Sequence, residues 1–145
     1  MASRAAAIGA GSPISQNAAD IASLAGRVLI SALFLLSGFG KVAAPAATIA
    51  YIGTAGLMLP SLGFALAVAV ELGAGTALVL GYRARIAASL MAVFSIGAAI
   101  GFHRDFADMN QFIHFMKNVA IAGGLLQIAA FGAGRFSLDA RRARR

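Results

Sequence analysis

Cysteine is absent from this 145-residue chain, which excludes a disulfide framework, a zinc finger, an iron–sulfur cluster and a thiol nucleophile. Redox chemistry would therefore draw on a cofactor, a diffusible carrier or a partner protein. Charge is scarce as well. Only 12% of residues are charged while 60% are hydrophobic, against ~25% and ~45–50% in soluble domains. That balance excludes a water-soluble monomer, and the wealth of large apolar side chains excludes intrinsic disorder. Also missing are GxxxxGK, GxGxxG after a strand, HExxH and GxSxG, so the ordinary nucleotide, zinc-protease and hydrolase readings fall away. The length suits one cored domain rather than two.

What is present is a set of four apolar stretches at about 21–40, 60–81, 85–102 and 111–132, each near the ~20 residues an α-helix needs to cross the hydrocarbon core. Their apolar residues run without strand-like alternation, and unpaired backbone is intolerable in lipid, so helices are favoured over a barrel. The expected fold is an all-α integral membrane protein, a four-helix transmembrane bundle. The stretch from Ala46 to Gly56, following Pro45, predicts a short interfacial helix between the first two spans, and Gly81 to Arg83 predicts a tight link between the second and third. Residues 1–20, with Gly9, Gly11, Ser12 and Pro13 as breakers, read as a mobile tail and match a cleaved signal peptide poorly. The membrane domain is then 21–133, and 134–145 is a basic tail.

The formal net charge of +7 is distributed unevenly. Arg4, Arg83, Arg85, Arg135, Arg141, Arg142, Arg144 and Arg145 share one side of the membrane, against Lys41 and Arg104 on the other. The positive-inside rule places both termini in the cytoplasm. The Arg-rich tail then serves anionic lipid head groups, at roughly 1 kcal/mol per basic residue. No nucleic-acid reading motif accompanies it.

The informative residues are those that lipid should exclude. Arg27, Glu71, His114, Lys117 and Asn118 fall within the spans, where a central charge costs ~2.5–3.5 kcal/mol. At a rise of 1.5 Å per residue, Arg27 lies about 5 Å from the depth of Glu71 on the cytoplasmic side and Lys117 about 7 Å on the outer side, so Glu71 is placed to meet either cation. His114, Lys117 and Asn118 stand at i, i+3 and i+4 on one helix face; Arg27, Ser31, Phe34, Ser37, Gly38 and Lys41 form another stripe. These stripes are expected to face the bundle interior. One acid against several cations leaves three outcomes: a neutral Lys117, a hydrated site, or an anionic or electron-rich ligand. The bland counterpart is an ion-pair network that merely fixes helix register.

A second polar group, His103, Arg104, Asp105, Asp108 and Gln111, leads into His114 near the outer face. His103, Asp105 and His114 carry metal-ligating chemistry, and two histidines at similar depth suit a haem. Such a loop is more often a solvated helix connection, and no metal is assigned. Gly97 and Gly101 permit close helix contact, within the chain or in a homo-oligomer. Ten Phe and no Trp supply apolar walls suited to a lipid-soluble ring.

Arg27 early in the first span, Ser37-Gly38-Phe39-Gly40-Lys41 at its end, Glu71 ahead of Gly81-Tyr82-Arg83, and Lys117-Asn118 in the fourth span occur in an order that resembles the DoxX family of small four-helix bacterial membrane proteins. The likeness covers about residues 24–133. It implies an inner-membrane location and an interior site built from Arg27, Lys41, Glu71, Lys117 and Asn118. Some members of that broader group are linked to thiosulfate:quinone oxidoreduction, others to membrane-associated oxidative-stress complexes with soluble redox partners. Three functions follow as alternatives. The first is a quinone-linked redox component or subunit, with Lys117 or His114 donating to a ring carbonyl, Glu71 relaying a proton and Arg27 keeping Glu71 charged. The second is a small solute or proton transporter, and the third a noncatalytic anchor recruiting soluble redox enzymes or a second membrane subunit.

Overall fold

The computed structural model describes residues 15–145 and is all-helical among them. Of the expected tail at 1–20, residues 1–14 lie outside the described residues, and Gln16 to Asp20 belong to the first helix. Helix α1 spans Gln16–Ala43, α2 Pro45–Thr54, α3 Pro60–Leu80, α4 Ala84–Phe102, α5 Met109–Phe131 and α6 Leu138–Arg142. Helices α1, α3, α4 and α5 are the four candidate membrane spans, and α2 is the short helix between the first two.

Local chemistry sets most boundaries. The Ser15 hydroxyl accepts from the Ala18 N–H, so α1 begins at Gln16 rather than near Ile21. Proline opens both α2 and α3, where its missing N–H is not needed and its φ is already helical. Helix α3 ends in a Schellman motif: Gly81 at φ 63° donates to the Leu78 carbonyl (3.1 Å) and Tyr82 to that of Ala77 (2.9 Å). Asp108 caps α5 by accepting from the Asn110 N–H at 2.8 Å.

Helix α4 has no local cap, because Arg83 precedes it at φ 44°. Asp139, far along the chain, supplies one, its two carboxylate oxygens accepting from the N–H groups of Arg83 (2.8 Å) and Ala84 (2.9 Å). The segment read as a basic tail thus folds back and carries a helix of its own, α6.

The core is built from small residues. Ala84, Ala87, Ala88 and Ala92 of α4 pack with Leu78, Met91, Ala122 and Leu125, and α4 makes its most extensive contacts with α5. In lipid there is no hydrophobic gain from pairing apolar helices, so association rests on close backbone approach, which alanine allows. Gly97 and Gly101 do not serve this purpose. A Cβ at either would meet nothing within 4 Å, and both open onto a cavity. Large apolar side chains such as Leu29, Leu36, Val93 and Phe131 point outward, each more than 70% exposed, as a lipid-facing surface requires.

Candidate functional site

Helices α1 and α3 meet where each lacks a side chain. A Cβ on Gly38 would lie 3.1 Å from Glu71 Cβ, and one on Gly75 would lie 3.3 Å from a Leu35 methyl. Between these glycines, α3 widens into a π-helical turn at Ala69–Ala74 that contains Glu71. Such turns absorb an extra residue and re-aim a side chain. Here the carboxylate is turned inward, leaving Glu71 3% exposed.

Its two oxygens have different fates. Oε1 accepts from Lys41 Nζ at 2.8 Å and from Ser37 Oγ at 3.1 Å, and Lys41 also donates to Ser37 at 2.7 Å. Ser37 and Lys41 stand one turn apart on a single face of α1, so the lysine side chain runs back along the helix to reach a carboxylate deeper in the bundle. Oε2 is buried without a hydrogen-bond partner. An unsatisfied carboxylate oxygen is costly in a medium of low dielectric.

A cavity of about 700 Å³ adjoins this pair. Phe34, Tyr51, Ile52, Phe94 and Phe102 line its apolar side, with Tyr51 and Phe102 stacked at 5.3 Å between centroids. Lys41, Glu71, His103, His114, Lys117 and Asn118 supply its polar groups. His103 and His114 stack at 5.1 Å and 24°, and His103 Nδ1 lies 2.9 Å from Gln111 Oε1. Asn118 donates to the His114 carbonyl at 3.0 Å. Lys117 has no ion-pair partner among the described residues, where the pair Lys41–Glu71 stands alone. With Glu71 already matched by Lys41, Lys117 brings uncompensated positive charge to the cavity.

Most of the residues singled out in the sequence therefore converge, and three do not. Arg27 is fully buried but lies at the other end of α1 and never meets Glu71. Its guanidinium donates to the carbonyls of Leu78 (3.0 Å), Val79 (2.9 Å) and Phe136 (2.6 Å). The end of α3 leaves the Val79 carbonyl without an internal partner and the Leu78 carbonyl with a second lone pair beyond its bond from Gly81, and both compete successfully for the arginine. Depth alone misled, since it says nothing of azimuth. Asp105 and Asp108 are likewise engaged locally, Asp105 with the Ala107 N–H and Asp108 as the α5 cap. Among the described residues no three His, Asp or Glu side chains gather as metal ligands, and the histidine rings lie face to face rather than edge-on to a common ion. Tyr51, Thr48 and Phe102 were not singled out beforehand. Their signal is tertiary, because it depends on Tyr51 of α2 reaching Phe102 at the end of α4.

The chain matches the DoxX family over residues 22–104 and belongs to it. It is a multi-pass inner-membrane protein. Two relatives from Escherichia coli (strain K12) are similar over most of the chain. Inner membrane protein YqjF is 37% identical over 123 residues, covering 83% of this chain and 91% of the relative. Inner membrane protein YphA is 34% identical over 124 residues, covering 81% and 88%. No solved structure matches the chain.

Proposed function

We propose that this DoxX-family inner-membrane protein is a quinone-linked redox component that takes a lipid-soluble ring into the cavity beside Glu71. The observation that carries the reading is the pairing of two unmet polar groups, Glu71 Oε2 and the Lys117 ammonium, on the walls of one apolar cavity. A hydroxylated ring offers a donor to the first and an acceptor to the second. Such a group, when bound, supplies reversible two-electron, two-proton chemistry. The chain's own residues bind and move protons. Lys117 donates to a ring oxygen, Asn118 and His114 shape the wall beside it, and Glu71 accepts a proton at Oε2 while Lys41 and Ser37 hold Oε1 in place. His103 and His114 stand where protons can be exchanged at the cavity's edge. Electrons pass to or from a soluble redox enzyme or a second membrane subunit, because a chain without cysteine has no thiol relay. The excess of arginine at the end holding the C-terminus supports an orientation with both termini in the cytoplasm.

The test is binding of a short-chain ubiquinol analogue, kept reduced, to the purified protein in mild detergent. Glu71→Gln and Lys117→Met are each expected to weaken binding by about ten-fold or more, the value of a hydrogen bond to a charged group. Unchanged affinity in both variants would remove the reading.

A further inference from the structure

A second cavity, of about 510 Å³, lies at the opposite end of the bundle between α1, the end of α3 and the C-terminal segment. Its walls divide into two chemistries. Leu24, Leu80 and Phe136 form an apolar side, and Arg135, Arg141 and Arg144 a cationic one. Leu80 and Phe136 are about half exposed, so the apolar side continues onto the outward faces of the spans.

The arginines lack counter-ions. Two carboxylates lie at this end of the described chain, and both are engaged by backbone. Asp20 is buried, its Oδ1 accepting from the Arg135 N–H at 3.3 Å and its Oδ2 without a partner, and Asp139 caps α4. Among the described residues no arginine forms an ion pair.

The segment carrying these arginines is anchored at several points. Arg27 donates to the Phe136 carbonyl, Ser23 Oγ to that of Ala133 at 3.2 Å, and the Asp139 N–H to that of Gly81 at 2.9 Å. Ser137 caps α6 by accepting from the Ala140 N–H at 3.1 Å. Arg141 in α6 and Arg144 just beyond it line the cavity together with Arg135.

We propose that this cavity is a binding site for the phosphate head group of an acidic phospholipid. Guanidinium groups bind phosphate oxygens through paired hydrogen bonds, and basic residues beside a membrane gain from anionic lipid. The apolar wall decides the source of the phosphate. A free anion has no use for Leu24, Leu80 and Phe136, whereas the first methylenes of a lipid's acyl chains would cover them. The site is separate from the ring cavity and does not depend on the function proposed for it.

The experiment titrates dioleoyl phosphatidylglycerol into the delipidated full chain in mild detergent and reads bound lipid by native mass spectrometry. Phosphatidylcholine with the same chains and inorganic phosphate serve as comparisons. The two double variants R141Q/R144Q and R142Q/R145Q remove equal charge from the same segment, and only the first pair lines the cavity. The expected result is one tightly held phosphatidylglycerol per chain, little phosphatidylcholine, and about ten-fold or greater weakening in R141Q/R144Q alone. Equal losses in the two variants would overturn the proposal by reducing it to general tail charge. Equal binding of phosphatidylcholine would overturn it too, as would full displacement by millimolar phosphate. So would an acidic protein partner lost in R141Q/R144Q while lipid binding persists. If R141Q/R144Q does not melt as a folded protein, R144Q against R145Q makes the same comparison beyond the last turn of α6.

Discussion

Arg27 is fully buried, yet its partners are two carbonyls at the end of α3 and one from the C-terminal segment. Arginine suits that task because its planar fork addresses several acceptors at once, where lysine is a point charge. Replacing it with methionine strands the Val79 and Phe136 carbonyls and is expected to cost about 2–4 kcal/mol of stability in a denaturant titration, with Arg27→Lys recovering part of the loss. A result for Arg27→Met near zero would show that water satisfies those carbonyls. At the same end, Tyr82 is half-buried and its phenol titrates below the ordinary value, first because of its hydrogen bond with Arg142 and then through the charge of Arg83 and Arg142. Arg142 also lies over the Tyr82 ring, 4.5 Å from its centroid. A folded-state value below the unfolded one adds stability only as pH rises through it and adds none at neutral pH. Ultraviolet titration is therefore expected to show a tyrosinate step that Tyr82→Phe abolishes and Arg142→Gln moves upward.

At the scale of elements, α1 and α3 determine whether the site exists. An added Cβ at Gly38 would fall 2.6 Å from a Leu72 methyl and 3.1 Å from Glu71 Cβ. Gly38→Ala is expected to cost about 1–3 kcal/mol as the helices part and to shift ring binding along with stability. Gly81 is more constrained still. It holds φ 63°, and a Cβ there would collide with Ser137 Cβ and approach Arg27 Nη1 at 2.8 Å. Gly81→Ala should therefore lower the melting temperature more than Gly38→Ala; the reverse order would place the weaker joint at the α3–α4 turn. The spans themselves were legible from apolar run length, and α2 from Pro45 and the apolar residues that follow. The π turn at Ala69–Ala74 was not, because a run of small apolar residues reads the same whether its hydrogen bonds close at four residues or five. Lys41 was on the right stripe, but its meeting with Glu71 depended on how far α1 and α3 slide past each other. Asp139 as a cap for α4 had no local signal at all, since capping is read from neighbouring positions and this cap comes from another helix.

At the scale of the whole molecule, polar chemistry separates into two ends. The cavity beside Glu71, lined by Lys41, His103, His114 and Lys117, lies near the α1–α2 and α4–α5 connections. The arginines gather where α3 turns into α4 and α6 folds back. A chain free of cysteine makes the proposed orientation directly measurable. In spheroplasts of a bacterial host, a membrane-impermeant maleimide is expected to label Ala107→Cys in intact cells and Ala143→Cys only after lysis. The opposite pattern would invert the protein and move the cavity beside Glu71 to the cytoplasmic half.

Composition alone decided that the chain lives in a bilayer. Apolar runs near the length of a span, scarce charge and arginines crowded at one end are sums over residues, and sums survive ignorance of the fold. Which charges meet was decided only by packing. Helical spacing assigns a side chain to a stripe and a depth, whereas a hydrogen bond also requires that two stripes turn towards each other at one height. That is why Glu71 found Lys41, why Arg27 spent its donors on helix-end carbonyls, and why Lys117 faces the cavity without a carboxylate of its own.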